Sequence, residues 1–170
     1  MEFNYPPQAD AYRAKVKDFL KANLPAGWKG IGALSRDEAF EFTNNWRKTL
    51  FENGFLAVQW PKEYGGQGLS SLEMVVLTEE FFKAGVPTGG HNDGFGIAML
   101  GNTLLAVGTE EQKKYYLPRI LAGEDLWCQG YSEPAAGSDL GNLGCRAVLD
   151  GDEWVINGQK IWTTGGHHAD

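Results

Sequence analysis

The segment Gln129–Asp139 combines residue types that hold an anionic or planar polar ligand. Pro134 fixes the backbone of a turn, and the small residues Gly137 and Ser138 that follow leave backbone N–H groups open. Open N–H groups at a turn bind a phosphate or the polar edge of a ring. The same composition is typical of an ordinary turn between two strands, so the residues alone make a ligand-binding loop a hypothesis.

A second segment, Ile161–Thr164, places an aromatic ring beside two hydroxyls. Trp162, Thr163 and Thr164 come at the end of a predicted strand. A ring in that position either packs into the hydrophobic core or stacks on a ligand, and the pattern leaves both roles open.

The standard catalytic and nucleotide-binding motifs are absent from the sequence. It contains neither a P-loop nor an HExxH motif, and Gly94-Phe95-Gly96 lacks the preceding strand and the third glycine of a dinucleotide fingerprint. The histidines fall in predicted loops and form no hydrolytic triad with a serine and an aspartate. Cys128 and Cys145 have no CxxC partner and no histidine at ligand spacing, so we predict neither a disulfide framework nor a metal site.

Charge and composition narrow the classes of partner. The 170 residues include 22 acidic and 15 basic side chains, for a formal charge of -7, and nucleic acid or an anionic membrane requires a basic face. No leader pattern is present, and no stretch approaches the roughly 18 uncharged residues of a membrane span. With two unpartnered cysteines, these features predict a cytoplasmic protein without a membrane span or a nucleic-acid partner.

Helices separated by strong stop signals are predicted over the first two thirds of the chain. Asp10 is the predicted N-cap of the first helix, and capping boxes open three others at Ser35, Ser70 and Thr109. A mostly apolar run over about 92–107 predicts a further helix, which is either buried within the bundle or lines an apolar cavity.

Beyond Gly123 the pattern changes to short extended runs. Leu126–Ser132 and Cys145–Leu149 are predicted strands, and tight-turn signals stand at Asp150-Gly151 and Asn157-Gly158. We predict the better hairpin at Asn157-Gly158, because apolar runs flank a pair of residues that tolerate the positive φ angles of a type I′ turn.

These patterns predict an α+β fold in two domains. Residues 1–123 form an all-helical bundle, and residues 124–170 form the start of an antiparallel β-domain. Four short strands with an unpaired edge are marginally stable on their own. We therefore expect the β-domain to be incomplete and the chain to be a fragment of a longer protein.

A series of linked motifs resembles the acyl-CoA dehydrogenase signature. The central motifs are Tyr131–Asp139, Gly151–Glu153 and Ile156–Thr164, and the resemblance extends upstream through Trp60–Gly68 and Gly108–Pro118. The motifs agree in order and spacing and cover essentially the whole chain. On these residues the chain is identified as a member of the acyl-CoA dehydrogenase family.

The resemblance implies a fold and a reaction. Family members have an N-terminal helical domain, a middle β-domain and a C-terminal four-helix bundle, usually form homotetramers, and hold FAD between domains. They serve lipid degradation by oxidising an acyl-CoA thioester to its 2,3-enoyl form. A carboxylate removes the α-proton while the β-hydride moves to flavin N5, and electron-transfer flavoprotein then accepts the electrons. The C-terminal bundle is expected to be absent from this chain.

Both segments described above are expected to bind FAD by the resemblance. Tyr131 and Ser132 would meet the pyrimidine edge of the flavin, and Thr164 would lie near N5. Ser138 would also contact the acyl-CoA substrate. The expected cofactor-binding residues are Gln129, Tyr131, Ser132, Gly137, Ser138, Trp162, Thr163 and Thr164.

No residue of this chain matches the family's catalytic base, a glutamate that the family draws from later sequence. Glu133 is expected to support the flavin loop instead. The family often has Thr where this chain has Ser132, which keeps the hydroxyl, and Gly where it has Ala135, which adds a methyl group to the bend. Because residues for the adenosine half of FAD also lie beyond Asp170, the chain alone is expected to be inactive and to hold flavin weakly.

The resemblance places the apolar helix after Gly94 against the acyl pocket of the family. Phe95, Met99 and Leu100 are therefore candidates for setting acyl chain length, and bundle core is an equal alternative for each of them. The glycine run from Gly85 to Gly96 has no explanation in the sequence.

Two alternative functions stay open. The segment Trp127–Glu133 resembles bacterial members that act on dicarboxylyl and steroid side-chain thioesters, some of which are mixed-subunit assemblies. The chain would then belong to a non-catalytic or half-site subunit of a heteromeric acyl-CoA dehydrogenase. The other alternative is a flavin oxidase or monooxygenase on the same fold.

Overall fold

The computed structural model describes residues 5–170 and divides into two compact units. One unit ends at Glu124 and the other is Asp125–Asp170. The first is helical and the second contains an antiparallel sheet of two strands, which confirms the predicted α+β class. The helices are α1 (Pro7–Asn23), α2 (Arg36–Glu52), α3 (Ser71–Ala84), a π-helix (Gly94–Gly101), α4 (Asn102–Val107) and α5 (Glu110–Ala122).

The predicted capping boxes are confirmed. The side chains of Ser35, Ser70 and Thr109 each accept a backbone N–H three residues on, and the side chain there bonds back to the N-cap. The predicted N-cap at Asp10 is wrong, because α1 begins at Pro7. Proline is favoured in the first turn, where its missing N–H costs no helical hydrogen bond.

Aromatic side chains form the core of the helical unit. The ring of Phe19 stacks on that of Phe55, with centroids 4.1 Å apart, and it also contacts Trp46 and Phe81. Phe81 is fully buried and Trp46 nearly so. These contacts join α1, α2 and α3 with the segment that follows α2.

A partly buried ion pair connects α2 with the glycine-rich loop before the π-helix. The Arg47 guanidinium lies 2.8 Å from the Asp93 carboxylate and also donates to the Ile120 carbonyl of α5. A Cβ at Gly90 would come within 2.5 Å of Arg47 Cδ, and one at Gly89 within 2.8 Å of Asp93 Oδ2. The close approach of the pair therefore explains two glycines of the run that the sequence left unexplained.

Removal of the arginine tests this ion pair. We expect Arg47→Leu to lower the free energy of unfolding by about 3 kcal/mol, because it leaves a desolvated carboxylate without its partner. The measurement is urea denaturation of the complete protein that carries this chain. Lys113→Leu is the matched control, since Lys113 pairs with the exposed Glu110 carboxylate at 3.0 Å and such pairs contribute about 0–1 kcal/mol. Equal losses in the two variants would contradict the structural role of the pair.

The apolar run predicted as one helix divides into the π-helix and α4. Gly101 at the junction packs against the indole of Trp60, where a Cβ would lie 2.1 Å from Cζ2, and Trp60 Nε1 donates to Asn102 Oδ1 at 3.1 Å. Met99 and Val107 are exposed, so burial on every face is wrong. Ile97 and neighbouring residues line a cavity of about 470 Å³, as the alternative predicted, but Asp93 and Asn102 make part of its wall polar.

The sheet of the second unit pairs β1 (Arg146–Asp150) with β2 (Glu153–Asn157) in antiparallel register. Its turn contains Gly151, which has a φ of +62° that glycine adopts without strain. The hairpin predicted at Asn157-Gly158 is therefore wrong. After β2 the chain does not fold back onto that strand, because the N–H of Ile161 donates to Ser132 instead.

The predicted strand over Leu126–Ser132 is also wrong. It has no strand pairing, and Leu126 instead exchanges hydrogen bonds with Asp170, at 2.8 Å and 3.1 Å. The strand predicted over Cys145–Leu149 is confirmed with a shift of one residue, as β1. Close packing follows β2, where a Cβ at Gly158 would lie 2.6 Å from Cys145 Sγ.

One face of this sheet is entirely apolar and uncovered. The register brings Ala147 opposite Ile156 and Leu149 opposite Trp154. The side chains of Ile156, Leu149 and Trp154 are each more than half exposed. An exposed apolar face of this kind is typical of a sheet that lacks part of its packing partner. This face is compatible with an incomplete β-domain, which stays a prediction.

Within residues 5–170, no helix has both the length and the apolar character that crossing a bilayer requires. The same residues contain no group of three or more His, Cys, Asp or Glu side chains placed to hold a metal ion.

Candidate functional site

A tight turn forms the centre of the first predicted segment. The N–H of Glu133 donates to the Ala136 carbonyl at 2.8 Å, and the N–H of Ala136 donates back to the Glu133 carbonyl at 3.1 Å. Pro134, with its fixed φ, lies inside this closed pair of bonds. Ala136 is almost fully buried, so the turn is held by packing as well as by hydrogen bonds.

The carboxylate of Glu133 connects this turn to two other parts of the chain. It is 8% exposed and accepts from the backbone N–H groups of Gly144, at 2.7 Å, and Cys145, at 3.0 Å. The Lys160 ammonium donates to the same carboxylate at 2.8 Å. The bond from Lys160, followed by that from the Gly144 amide, holds the pKa of Glu133 below its ordinary value. Glu133 is therefore an ionised support of the loop, in agreement with its expected role.

The two predicted segments lie side by side. The N–H of Ile161 donates to the Ser132 carbonyl at 2.8 Å, and Lys160 Nζ donates to the Tyr131 carbonyl at 2.9 Å. A Cβ on Gly130 would lie 3.3 Å from Lys160 Cγ. The chain at residues 130–133 is thus in direct contact with residues 160–161.

Trp162 has an uncommon backbone conformation. Its φ is +58°, and its side chain is 86% exposed. Bulky residues rarely occupy the left-handed region, and such residues cluster at ligand sites. The sequence left two roles open for this ring. Core packing is wrong, because the ring is exposed among the described residues. Stacking on a ligand is compatible with that exposure.

Hydroxyls and open backbone groups surround these elements. Ser138, Gly137 and Thr164 are exposed, and Thr163 is half-buried. In residues 5–170, the backbone N–H groups of Gly137 and Ser138 have no hydrogen-bond partner. Gln129 is half-buried, and it is not free of interactions with the rest of the chain.

This donor set fits the isoalloxazine ring and phosphates of a flavin dinucleotide. The open N–H groups and the Ser138 hydroxyl suit anionic or carbonyl oxygens, and the exposed indole of Trp162 suits a flat heteroaromatic ring. The assignment of the eight predicted FAD-binding residues stays a prediction.

Comparison with known families decides the class. The model described as acyl-CoA dehydrogenase, N-terminal domain, matches residues 6–124, and the one described as acyl-CoA dehydrogenase, middle domain, matches residues 128–170. The chain belongs to the acyl-CoA dehydrogenase family. Members of this family bind FAD.

Individual acyl-CoA dehydrogenases show the extent of the match. Acyl-CoA dehydrogenase IpdE1 of Mycobacterium tuberculosis is 46% identical over 162 residues, which are 93% of this chain and 42% of the relative. The ChsE4-ChsE5 complex from the same organism is similar over 100% of this chain and 42% of the solved chain, with 40% identity and a TM-score of 0.70. The Tcur3481-Tcur3483 steroid ACAD gives 41% identity, a TM-score of 0.69, and coverage of 100% and 43%. The chain thus spans less than half the length of these relatives.

The candidates for setting acyl chain length do not line the cavity of the helical unit. Its walls include Gly94, Ile97, Ala98 and Asn102, together with residues 55–60. Phe95, Met99 and Leu100 are not among them.

Lys160 is the site residue that sequence reasoning missed. It bonds to both Tyr131 and Glu133, yet only its position inside a motif distinguished it from other lysines. A hydroxyl or an aromatic ring suggests contact with a flavin, whereas a lysine paired with a distant glutamate shows no pattern in sequence spacing.

The ionised state of Glu133 has a measurable pH dependence. Because its folded pKa is lowered, its contribution to stability is complete above the ordinary value of 4.5 and is lost as the pH falls through the folded value. We therefore expect the backbone amide signals of Gly144 and Cys145, followed by NMR, to stay constant from pH 7 to pH 4.5 and to shift together only below it. A midpoint at or above the ordinary glutamate value would contradict the hydrogen-bond network.

Proposed function

We propose that this chain supplies the helical domain and part of the flavin site of an FAD-dependent acyl-CoA dehydrogenase. The enzyme would oxidise an acyl-CoA thioester to the 2,3-enoyl-CoA. The observation that carries the proposal is the direct pairing of the loop around Ser132 with the segment that begins at Ile161, through the 2.8 Å bond between them. Membership of the acyl-CoA dehydrogenase family supports the reaction class.

FAD, when bound, supplies the acceptor for the β-hydride of the acyl group. The residues of this chain bind and orient it. Tyr131 and Ser132 would donate hydrogen bonds to the polar edge of the ring, which stabilises the negative charge that accumulates there on reduction. Trp162 would cover the ring and exclude water, and Ser138 would bond to cofactor and acyl-CoA.

We further propose that the chain is the N-terminal part of a longer cytoplasmic protein. Its relatives are more than twice as long, and none of its acidic residues is assigned as the base that removes the α-proton. That base and the residues for the adenosine half of FAD would come from outside this chain. Electron-transfer flavoprotein is the proposed electron acceptor, and a homotetramer is the proposed assembly.

An anaerobic titration of the complete protein tests the reaction. We expect the flavin absorbance near 450 nm (roughly, as is usual for oxidised flavins) to bleach on addition of one class of acyl-CoA and not of others. Ring-bearing and steroid-derived thioesters are the first substrates to try, because a similar solved protein is described as a steroid ACAD. Absence of bleaching with every thioester would contradict the proposal, and rapid oxygen consumption without another acceptor would favour a flavin oxidase.

A second candidate is a subunit of a heteromeric acyl-CoA dehydrogenase. The names of two similar solved structures each join two different proteins, ChsE4-ChsE5 and Tcur3481-Tcur3483. A subunit of this kind would lack bleaching when purified alone and would gain it on addition of a second family member. Bleaching by the protein alone would rule this candidate out.

We predict that the cavity lined by Ile97 and Ala98 limits the size of the acyl group that the enzyme accepts. Ala98 lines it and Ala106 does not, while both are exposed residues of the same helical run. If the acyl group enters this cavity, Ala98→Phe would fill it and lower kcat/KM for ring-bearing thioesters by tenfold or more, about 1.4 kcal/mol. We expect Ala106→Phe to leave kcat/KM unchanged, and equal effects of the two variants would show that the cavity does not hold the acyl group.

A further inference from the structure

Lys160 bonds to the chain on both sides of Ser132. Its ammonium donates to the Tyr131 carbonyl at 2.9 Å and to the Glu133 carboxylate at 2.8 Å. The next residue, Ile161, donates its own N–H to the carbonyl of Ser132. Three successive residues, 131 to 133, are therefore each bonded to the pair 160–161.

These bonds replace a strand ladder that the segment lacks. Neither 130–133 nor 160–163 forms a strand, so regular backbone pairing does not fix their relative position. A backbone carbonyl and a carboxylate, both bonded to one ammonium, fix it instead. Trp162 follows directly and has a φ of +58°, a conformation that persists only where neighbouring contacts impose it.

Stability alone does not account for this arrangement. Glu133 is 8% exposed, and the Lys160 side chain is 27% exposed. Desolvating a charged pair of this kind offsets much of its attraction, and apolar pairs often stabilise a fold equally well. What the pair provides is a defined geometry, because charge-assisted hydrogen bonds are short and directional.

We propose that Lys160 and Glu133 are a positioning pair that holds the backbone at Tyr131 and the Trp162 ring in the orientation that binds flavin. The inference rests on the proposed function. The pair carries no net charge, so it orients the loop without placing an uncompensated charge beside the adjoining flavin edge. Removing one partner leaves the charge of the other next to that edge.

The unpaired charge that remains in a single variant changes the reduction potential of the flavin in a direction that loss of packing does not produce. Reduction of the flavin adds negative charge at the pyrimidine edge, which a nearby cation stabilises and a nearby anion destabilises. We expect Lys160→Met, which leaves the Glu133 carboxylate uncompensated, to lower the reduction potential of bound FAD. Glu133→Gln leaves the Lys160 ammonium and raises it.

The experiment uses the complete protein and measures three quantities for each variant. They are the FAD dissociation constant of the apoprotein, the reduction potential of the bound flavin and the Tm of the apoprotein. We expect Lys160→Met to weaken FAD binding by about tenfold or more, and Lys160→Arg to stay within about threefold of the unsubstituted protein. Lys113→Met, which breaks the Lys113–Glu110 pair of α5, is the control and should change neither FAD binding nor the potential.

The inference is overturned if Lys160→Met binds FAD with the same affinity and potential as Lys113→Met. It is also overturned if Lys160→Met and Glu133→Gln shift the potential in the same direction while both lower the Tm, since that result shows a general loss of packing. If the complete, unsubstituted protein binds no FAD, the proposed function fails and the inference fails with it. Normal FAD binding in all variants contradicts the inference alone.

Discussion

The second unit depends on one carboxylate that is removed from water. Glu133 cannot be desolvated without partners, because an ionised carboxylate in a poorly hydrated place loses far more than one hydrogen bond. The sequence supplies these partners from the Gly144–Cys145 backbone and from Lys160. These partners lie on either side of the β1–β2 hairpin. Because the desolvated carboxylate must bond to both of them, it holds together two loops that the short sheet does not connect.

The helical unit uses the same principle around the Arg47–Asp93 pair. Its guanidinium bonds to the Asp93 carboxylate and to the Ile120 carbonyl of α5. The two side chains of the pair leave no room for a Cβ at Gly89 or Gly90. The aromatic contacts of Phe19 provide most of the apolar burial, while the ion pair fixes where the loop before the π-helix lies. The turn at Glu133 in the second unit and the loop before the π-helix in the first are thus each held by a charged pair rather than by regular secondary structure.

Local signals were predictable from the sequence and long-range choices were not. A capping box such as Ser35–Glu38 is complete within four residues, so the pattern contains all the groups that form it. Asp150-Gly151 and Asn157-Gly158 are both suitable for a turn, and the choice between them depends on the bond that Ile161 makes to Ser132. Motif resemblance drew attention to the Tyr131–Asp139 loop, but the lysine that pairs with Glu133 lies 27 residues away, at a separation that no periodicity marks.

The π-helix has a consequence for how the cavity can vary among related proteins. A π-turn contains one residue more than an α-turn, and each residue of an α-helix advances the side chains by about 100°. Deletion of one residue between Gly94 and Gly101 would convert i→i+5 bonds into the i→i+4 bonds of an α-helix, so Asn102 would keep its place beside Trp60 while the side chains within the turn shift. A change of length by a single codon therefore alters the part of the wall that the π-turn supplies and leaves the contacts on either side of it in place, which makes this turn a point where related proteins can differ in length without losing the fold.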